Sequence, residues 1–200
     1  MKHGGGVPVE RKVLVIVGHP AAGSLCGALA RAYAGGARSA GFDVELLELG
    51  ALDFDPVLRQ GFAGEQPLEP DLERAWAAIA AADELVFAHP TWWGGPPALL
   101  KGFIDRVFLP GRAFRYREGS PFPEPLLKGK RARLLVTMDS PPWWFRWVAG
   151  QPGHRMLKKA VLEFCGVKPV TVHAFGPVRG SVPARREAWL DQARRLGAAG

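Results

Sequence analysis

The amino-acid sequence predicts an α/β protein: a doubly wound sheet of five parallel strands in the order 2-1-3-4-5, with helices on both faces. Three observations predict it. Apolar, β-branched runs recur along the chain and alternate with segments of helical periodicity. The first run, residues 12–18 (KVLVIVG), is apolar without interruption, as a strand covered on both faces should be. It passes directly into a turn of small residues, GHPAAGS (18–24), that opens a helix. A strand, a turn and a helix N-terminus in that sequence make an anion site. Right-handed crossovers then leave few topologies, and the first strand belongs near the sheet centre.

Each element follows from its residues. Residues 1–11 read as a flexible lead-in, with three consecutive glycines and no apolar middle of a signal peptide. Residues 12–200 read as a single domain, the expected count for 200 residues. Residues 24–40 form a helix that stops before Gly41, a suitable C-terminal cap. Residues 43–49 alternate around Val44 and Leu46 as a second strand. In 70–82, Leu72, Ala75, Trp76, Ile79 and Ala80 share one helical face. Residues 84–88 are the third strand. Pro96 and Pro97 are expected in the first turn of the next helix, where a missing N–H costs nothing. Its apolar stripe is Leu99, Leu100, Phe103, Ile104, Val107 and Phe108, with Lys101, Asp105 and Arg106 outside it. Residues 109–130 are an excursion punctuated by Pro and Gly, with a small aromatic strand at 113–116 (AFRY). The fourth strand spans 131–138, and 139–153 is a long aromatic loop. A helix at 154–165 ends at Gly166, the fifth strand covers 168–175, and the last helix covers 182–196. Neither internal repeats nor a linker interrupt this order.

Composition narrows the function classes. Hydrophobic content of 48% supports a sizeable core. Two distant cysteines, Cys26 and Cys165, make no disulfide framework and fit a reducing cytoplasm. No apolar run reaches the roughly 18 residues of a membrane span, so a soluble protein without stable membrane insertion is expected. The formal charge of +7 is compatible with phosphorylated ligands. Its Lys and Arg residues are scattered, without a nucleic-acid-binding motif, and no nucleic-acid partner is expected.

Two segments carry the chemistry. In GHPAAGS, the glycines at 18 and 23 have nucleoside-triphosphate-loop spacing, but the Lys that would face the γ-phosphate is absent. What remains is a helix N-terminus, with Ser24 placed to bond a phosphate or cap its helix, and His19 beside it. The second segment is HPTWWGGPPALLKGFIDRVF (89–108). Five of the seven tryptophans lie in two clusters after strand-like runs: Trp92 and Trp93, and Trp143, Trp144 and Trp147. Strand ends in an open sheet are where ligands sit, so clustered indoles there suggest a flat aromatic ligand. Gly94 and Gly95 allow the backbone close to such a ring. His89, inside a strand end, reads as a buried structural residue. No catalytic residue and no metal site are assigned.

The 89–108 segment resembles the flavin-binding segment of the NAD(P)H:quinone oxidoreductase family, which has the flavodoxin-like fold. GHPAAGSLC resembles that family's first phosphate loop, LDFDP (52–56) its loop after strand two, and EFCG (163–166) its late helix end. The resemblance runs through nearly the whole chain from Lys12. It implies a flavin-dependent oxidoreductase: hydride passes from NAD(P)H to flavin, then two electrons to a quinone or similar acceptor. It also implies a homodimer with flavin near the interface. His19, Ser24, Leu25 and Cys26 would contact the flavin phosphates. Pro90, Thr91, Trp92, Trp93 and Gly94 would hold the ring, and Thr137, Met138, Asp139 and Ser140 would approach its polar side. Phe114 and Tyr116 would line the partner subunit's pocket, while Trp143, Trp144 and Phe145 would form the substrate-pocket wall. FMN is the expected cofactor, with FAD the alternative, because nothing obviously cradles an adenosine. The chain departs from the family where a Thr-Thr-Gly-Gly run should follow strand four: it has Thr137-Met138-Asp139-Ser140 and then Pro141-Pro142-Trp143-Trp144. A Tyr and a suitably spaced His are missing there, so no catalytic acid is carried over. A regulatory subunit of a potassium-efflux system and an electron-carrier flavodoxin are the alternatives.

Overall fold

The computed structural model describes residues 11–200; all of the expected lead-in except its last residue lies outside them. Strand β1 (Lys12–Val17) leads through a turn into helix α1 (Leu25–Ser39), followed by β2 (Asp43–Glu48), α2 (Pro70–Ala81), β3 (Glu84–Pro90) and α3 (Ala98–Val107). A two-stranded hairpin, β4 (Phe114–Arg115) and β5 (Glu124–Pro125), precedes β6 (Arg131–Thr137). The chain ends with α4 (Pro142–Trp147), α5 (Pro152–Arg155) running into a wider π-helical stretch at Met156–Glu163, β7 (Val170–Phe175) and α6 (Pro183–Ala198).

The five-stranded sheet is parallel throughout, in the order β2-β1-β3-β6-β7, which in sheet strands alone is 2-1-3-4-5. This is the expected doubly wound architecture. The uninterrupted apolar run of β1 has a direct cause. Leu14 and Ile16 pack on the layer of α2 and α3, while Val13, Val15 and Val17 pack on the layer of α1 and α6. A strand with helices on both faces has no side left for polar residues.

Four expectations are corrected. Arg106, expected outside the α3 stripe, is 0% exposed. Its guanidinium pairs with Glu69 at 2.8 Å and donates to the carbonyls of Pro67 and Asp55, tying the 52–69 connection to α3. Helical periodicity reports position on a face, but a long cation can bury its head where carbonyls and a carboxylate converge. Pro96 and Pro97 precede α3, with Pro97 at the N-cap in extended backbone and Ala98 first in the helix. The 139–153 segment is not simply a loop, since α4 forms there, with Pro142 in its first turn and Phe145 buried. The small strand of the excursion shortens to Phe114–Arg115.

Candidate functional site: a cleft at the carboxyl rim of the sheet

The ends of β1, β3 and β6 open onto one cleft of about 520 Å³. Each strand end supplies one wall: His19, Ala21 and Gly23–Cys26 from the turn after β1, Pro90–Trp92 after β3, and Thr137–Asp139 after β6. Val178, from the β7–α6 connection, closes the edge.

The first wall is an anion cradle. Gly18 N–H donates to Ala88 O at 2.8 Å, which anchors the turn to β3. A Cβ on Gly18 would lie 2.7 Å from the end of the Leu100 side chain and 3.1 Å from its Cβ, so a larger residue here would require Leu100 to shift. Ser24 is the N-cap of α1, its hydroxyl accepting from Gly27 N–H at 3.2 Å. Among the described residues, the Leu25 and Cys26 N–H groups donate to no carbonyl, as expected in a first helical turn. That turn holds no acidic residue, so the positive end of the helix faces the cleft unopposed. His19 Nδ1 accepts from Ala21 N–H at 2.9 Å. In the neutral ring the proton is then on Nε2, free to donate.

The second wall is a tight turn. Trp92 N–H donates to Gly95 O at 2.8 Å, and Gly95 N–H returns to Trp92 O at 3.0 Å. Trp93 and Gly94 both have positive φ, 51° and 80°, the pattern of a type I′ turn. The turn aims Trp92 at the cleft, where its ring meets His19 edge-on at 5.5 Å. Thr91 N–H donates to Thr137 O at 2.7 Å, joining this wall to the third. The Thr91 hydroxyl oxygen is buried without a partner.

On the third wall, Cys26 Sγ and Thr137 Oγ1 lie 3.2 Å apart. Burial pushes the Cys26 thiol up to about 11, so the residue is a neutral wall and not a nucleophile. Asp139 Oδ1 accepts from Arg179 N–H at 2.9 Å, which pins the β7–α6 connection against the cleft.

A family model described as flavodoxin-like fold matches residues 11–197. The chain belongs to the flavodoxin-like family. A curated NADH:quinone oxidoreductase from Ruegeria pomeroyi, named as FMN-dependent, is 31% identical over 185 residues, covering 83% of this chain and 89% of that protein. An NAD(P)H oxidoreductase of Haemophilus influenzae, named as uncharacterized, is 26% identical over 157 residues, 76% of this chain and 77% of its own. The chain spans about half the length of some other curated relatives that it matches. Among solved structures, the NAD(P)H:quinone oxidoreductase of Methanothermobacter marburgensis superposes with a TM-score of 0.78 at 27% identity, covering 94% of this chain and 98% of that one.

In this flavodoxin-like protein, His19, Ser24, Leu25, Cys26, Pro90, Thr91, Trp92, Thr137, Met138 and Asp139 are brought together around the cleft. Trp93, Gly94 and Ser140 are not among its lining residues. Trp93 is fully exposed and directed away from the chain. Trp143 lines a different cavity, and Trp144 is half-exposed and lines neither. The expected pocket wall of Trp143, Trp144 and Phe145 is therefore not assembled in this cleft, because α4 turns Phe145 into the core and sets Trp143 in the other cavity, beside Val172 and Ala174 of β7. Phe114 and Tyr116 lie away from the cleft as well, in an edge-on cluster with Phe164: ring centroids are 5.4 and 5.1 Å from Phe114. Sequence reading missed three cleft residues. Ala21 and Gly23 lie inside the turn it singled out; Val178 comes from a connection with no local signal. His89 is buried as expected, its Nδ1 2.9 Å from Pro90 O, but its Nε2 has no partner.

Proposed function

We propose that this protein is an FMN-dependent oxidoreductase that takes hydride from NAD(P)H and passes two electrons to a quinone-like acceptor. The observation that carries the reading is the cleft itself. It joins a helix N-terminus with free first-turn N–H groups, an indole and an orphaned buried hydroxyl in one space, within the roughly 300–1,000 Å³ of small-ligand sites. Donors for the phosphate, an aromatic wall and a hydrogen-bonding group for a polar ring edge are what FMN requires, so the residues fit it.

Bound there, FMN would supply the hydride and two-electron chemistry. The chain's own part is to bind, orient and tune. The N–H groups of Leu25 and Cys26, the Ser24 hydroxyl and His19 Nε2–H would hold the phosphate. Ser24 can donate its proton outward while still accepting from Gly27, so cap and ligand roles coexist. Trp92 would pack on the ring, and Thr91 Oγ1 would bond its polar edge. Asp139, already engaged by Arg179 N–H, would face the ring as a fixed charge. No side chain is required as a proton donor.

The assembly in this reading is a homodimer. Exposed Trp93 and Tyr116 and the half-exposed Phe164 present aromatic surface to a second copy, with Phe114 buttressing the last two. The cytoplasm is its proposed location, supported by two free buried cysteines. Among the described residues, no helix is long and apolar enough to cross a membrane.

The test is release of cofactor by heat from purified protein, chromatography of the supernatant, and assay of quinone-dependent NAD(P)H oxidation. FMN and rapid oxidation are expected. A colourless protein that takes up no added FMN ends the reading.

A further inference from the structure

We propose that the second cavity, of about 780 Å³, binds an aromatic nucleoside phosphomonoester. It shares no lining residue with the cleft. Its walls are α4, the α5 segment with its π-helical extension, and the α2–α3 face of the edge strand β7.

Charge selects an anion. Arg146, Arg155, Lys158 and Lys159 line the cavity, and no Asp or Glu does. Lys158 reaches Glu163 only at 3.8 Å. Among the described residues, Arg146, Arg155 and Lys159 have no carboxylate within 4.0 Å, although many other cations of this chain are paired. Clustered like charges with low-dielectric walls raise the local concentration of an anionic ligand. Arg can hold a phosphate by two parallel bonds, and Lys adds a compact charge.

Shape and polarity select an aromatic partner. Trp143 and Trp147 stand four residues apart on α4 and both line the cavity. The Arg146 guanidinium lies 4.9 Å over the Trp147 ring, a surface already used for stacking. His154 is the independent sign of a ligand. It is 3% exposed, lines the cavity, and neither ring nitrogen has a hydrogen-bond partner. Buried polar atoms are nearly always paired. A nucleobase or phosphate that moved the wall covering these two nitrogens would give this imidazole the partners it lacks.

The cavity adjoins the cleft. Gly153 N–H donates to Gly94 O at 2.8 Å, and a Cβ on Gly153 would lie 2.5 Å from that oxygen. The first turn of α5 therefore rests directly on the Trp92–Gly95 turn, and one turn of backbone separates the two spaces. Two sources carry the required chemistry: the 2′-phosphoadenosine end of NADPH, and a free nucleotide. The first rests on the oxidoreductase reading and would make this cavity a determinant of NADPH over NADH.

Calorimetry with 2′-AMP, adenosine and inorganic phosphate tests the cavity without turnover, and steady-state kinetics of the FMN-loaded protein identifies the source. The expectation is that 2′-AMP binds at least about tenfold more tightly than adenosine, and that Arg155→Ala and Lys159→Ala each weaken it about tenfold, as for one charge-assisted hydrogen bond. A matching rise in KM for NADPH, with NADH unchanged, assigns the site to the reductant. Lost 2′-AMP binding with unaltered NADPH kinetics supports the cavity and assigns it to a free nucleotide. Failure of 2′-AMP to bind, or equal binding to parent and variants, overturns the proposal. If neither nicotinamide is oxidised while 2′-AMP still binds, the oxidoreductase reading falls and the cavity stands.

Discussion

The Cys26 thiol and the Thr137 hydroxyl meet at 3.2 Å, bridging the first turn of α1 and the last residue of β6. The contact fixes two of the three cleft walls relative to each other. Burial raises the Cys26 thiol to about 11 in spite of the Thr137 contact, which acts the other way, and burial raises Cys165 to about 12. Neither thiol is expected to react with an aromatic disulfide reagent at pH 8 in the native protein. Both should react once urea unfolds it. Rapid labelling of one thiol in the folded state would show that the Cys26 wall opens.

Ser24→Ala removes a cap and a phosphate donor together, and the two losses are separable. Stability of the apo-protein should fall by about 0.5–2 kcal/mol, the usual value of an N-cap. FMN affinity should fall further, by about 1.5–3 kcal/mol for a bond to a charged group. Urea unfolding measures the first and flavin fluorescence titration the second. An unchanged FMN affinity would reduce Ser24 to a cap.

Trp93 combines positive φ with full exposure, two unfavourable features for an indole. Trp93→Gly removes a left-handed strain of about 1–2 kcal/mol and replaces it with a similar cost in chain entropy. Monomer stability should therefore change by less than about 1 kcal/mol. If the proposed homodimer is built on this exposed indole, association should weaken strongly. Sedimentation across a concentration series reads this directly, and an unaltered dimer constant would remove Trp93 from the interface.

His89 and His154 are buried, and desolvation lowers each from 6.5 to about 4. The folded state therefore holds them neutral, whereas the unfolded chain protonates them below about pH 6.5. Stability from this source is complete above pH 6.5 and is lost as pH falls toward 4, by a few kcal/mol in total. His154→Phe, which can keep the edge-on contact with Phe145, should flatten the pH slope of the urea midpoint between 6.5 and 4. A slope identical to the parent's would assign the acid sensitivity elsewhere.

Glu84, 0% exposed at the start of β3, accepts from Tyr33 at 2.8 Å and pairs with Arg131 and Arg133 at 2.9 Å each. Glu84→Ala strands the charges it compensates and should cost about 3–5 kcal/mol. The cluster is at the amino ends of the strands, opposite the cleft. Turnover by protein that remains folded should be unaffected, so thermal unfolding and kcat measured below the transition separate stability from chemistry.

The sequence by itself determined the strand order, the spans of α1, α2 and α6, and the anion-binding turn, because each is marked by periodicity and by its end residues. Unbroken apolar runs mean burial on two faces; Ser24 and Gly41 mark the two ends of α1; a glycine-bounded turn before a helix means free N–H groups. Only the tertiary structure decided where side chains go between elements. Arg106 was written as a solvent-facing cation, yet carbonyls of the 52–69 connection and Glu69 bury it. The indoles of α4 share a composition with Trp92, but the rotation of a six-residue helix puts Trp143 and Trp147 around a separate basic cavity. Asp139 was expected beside the ring's polar side, and only the fold shows that the backbone of Arg179 engages it. Periodicity within one element says which face is covered; the element that covers it comes from far away in the chain, and its chemistry leaves no mark on the local pattern.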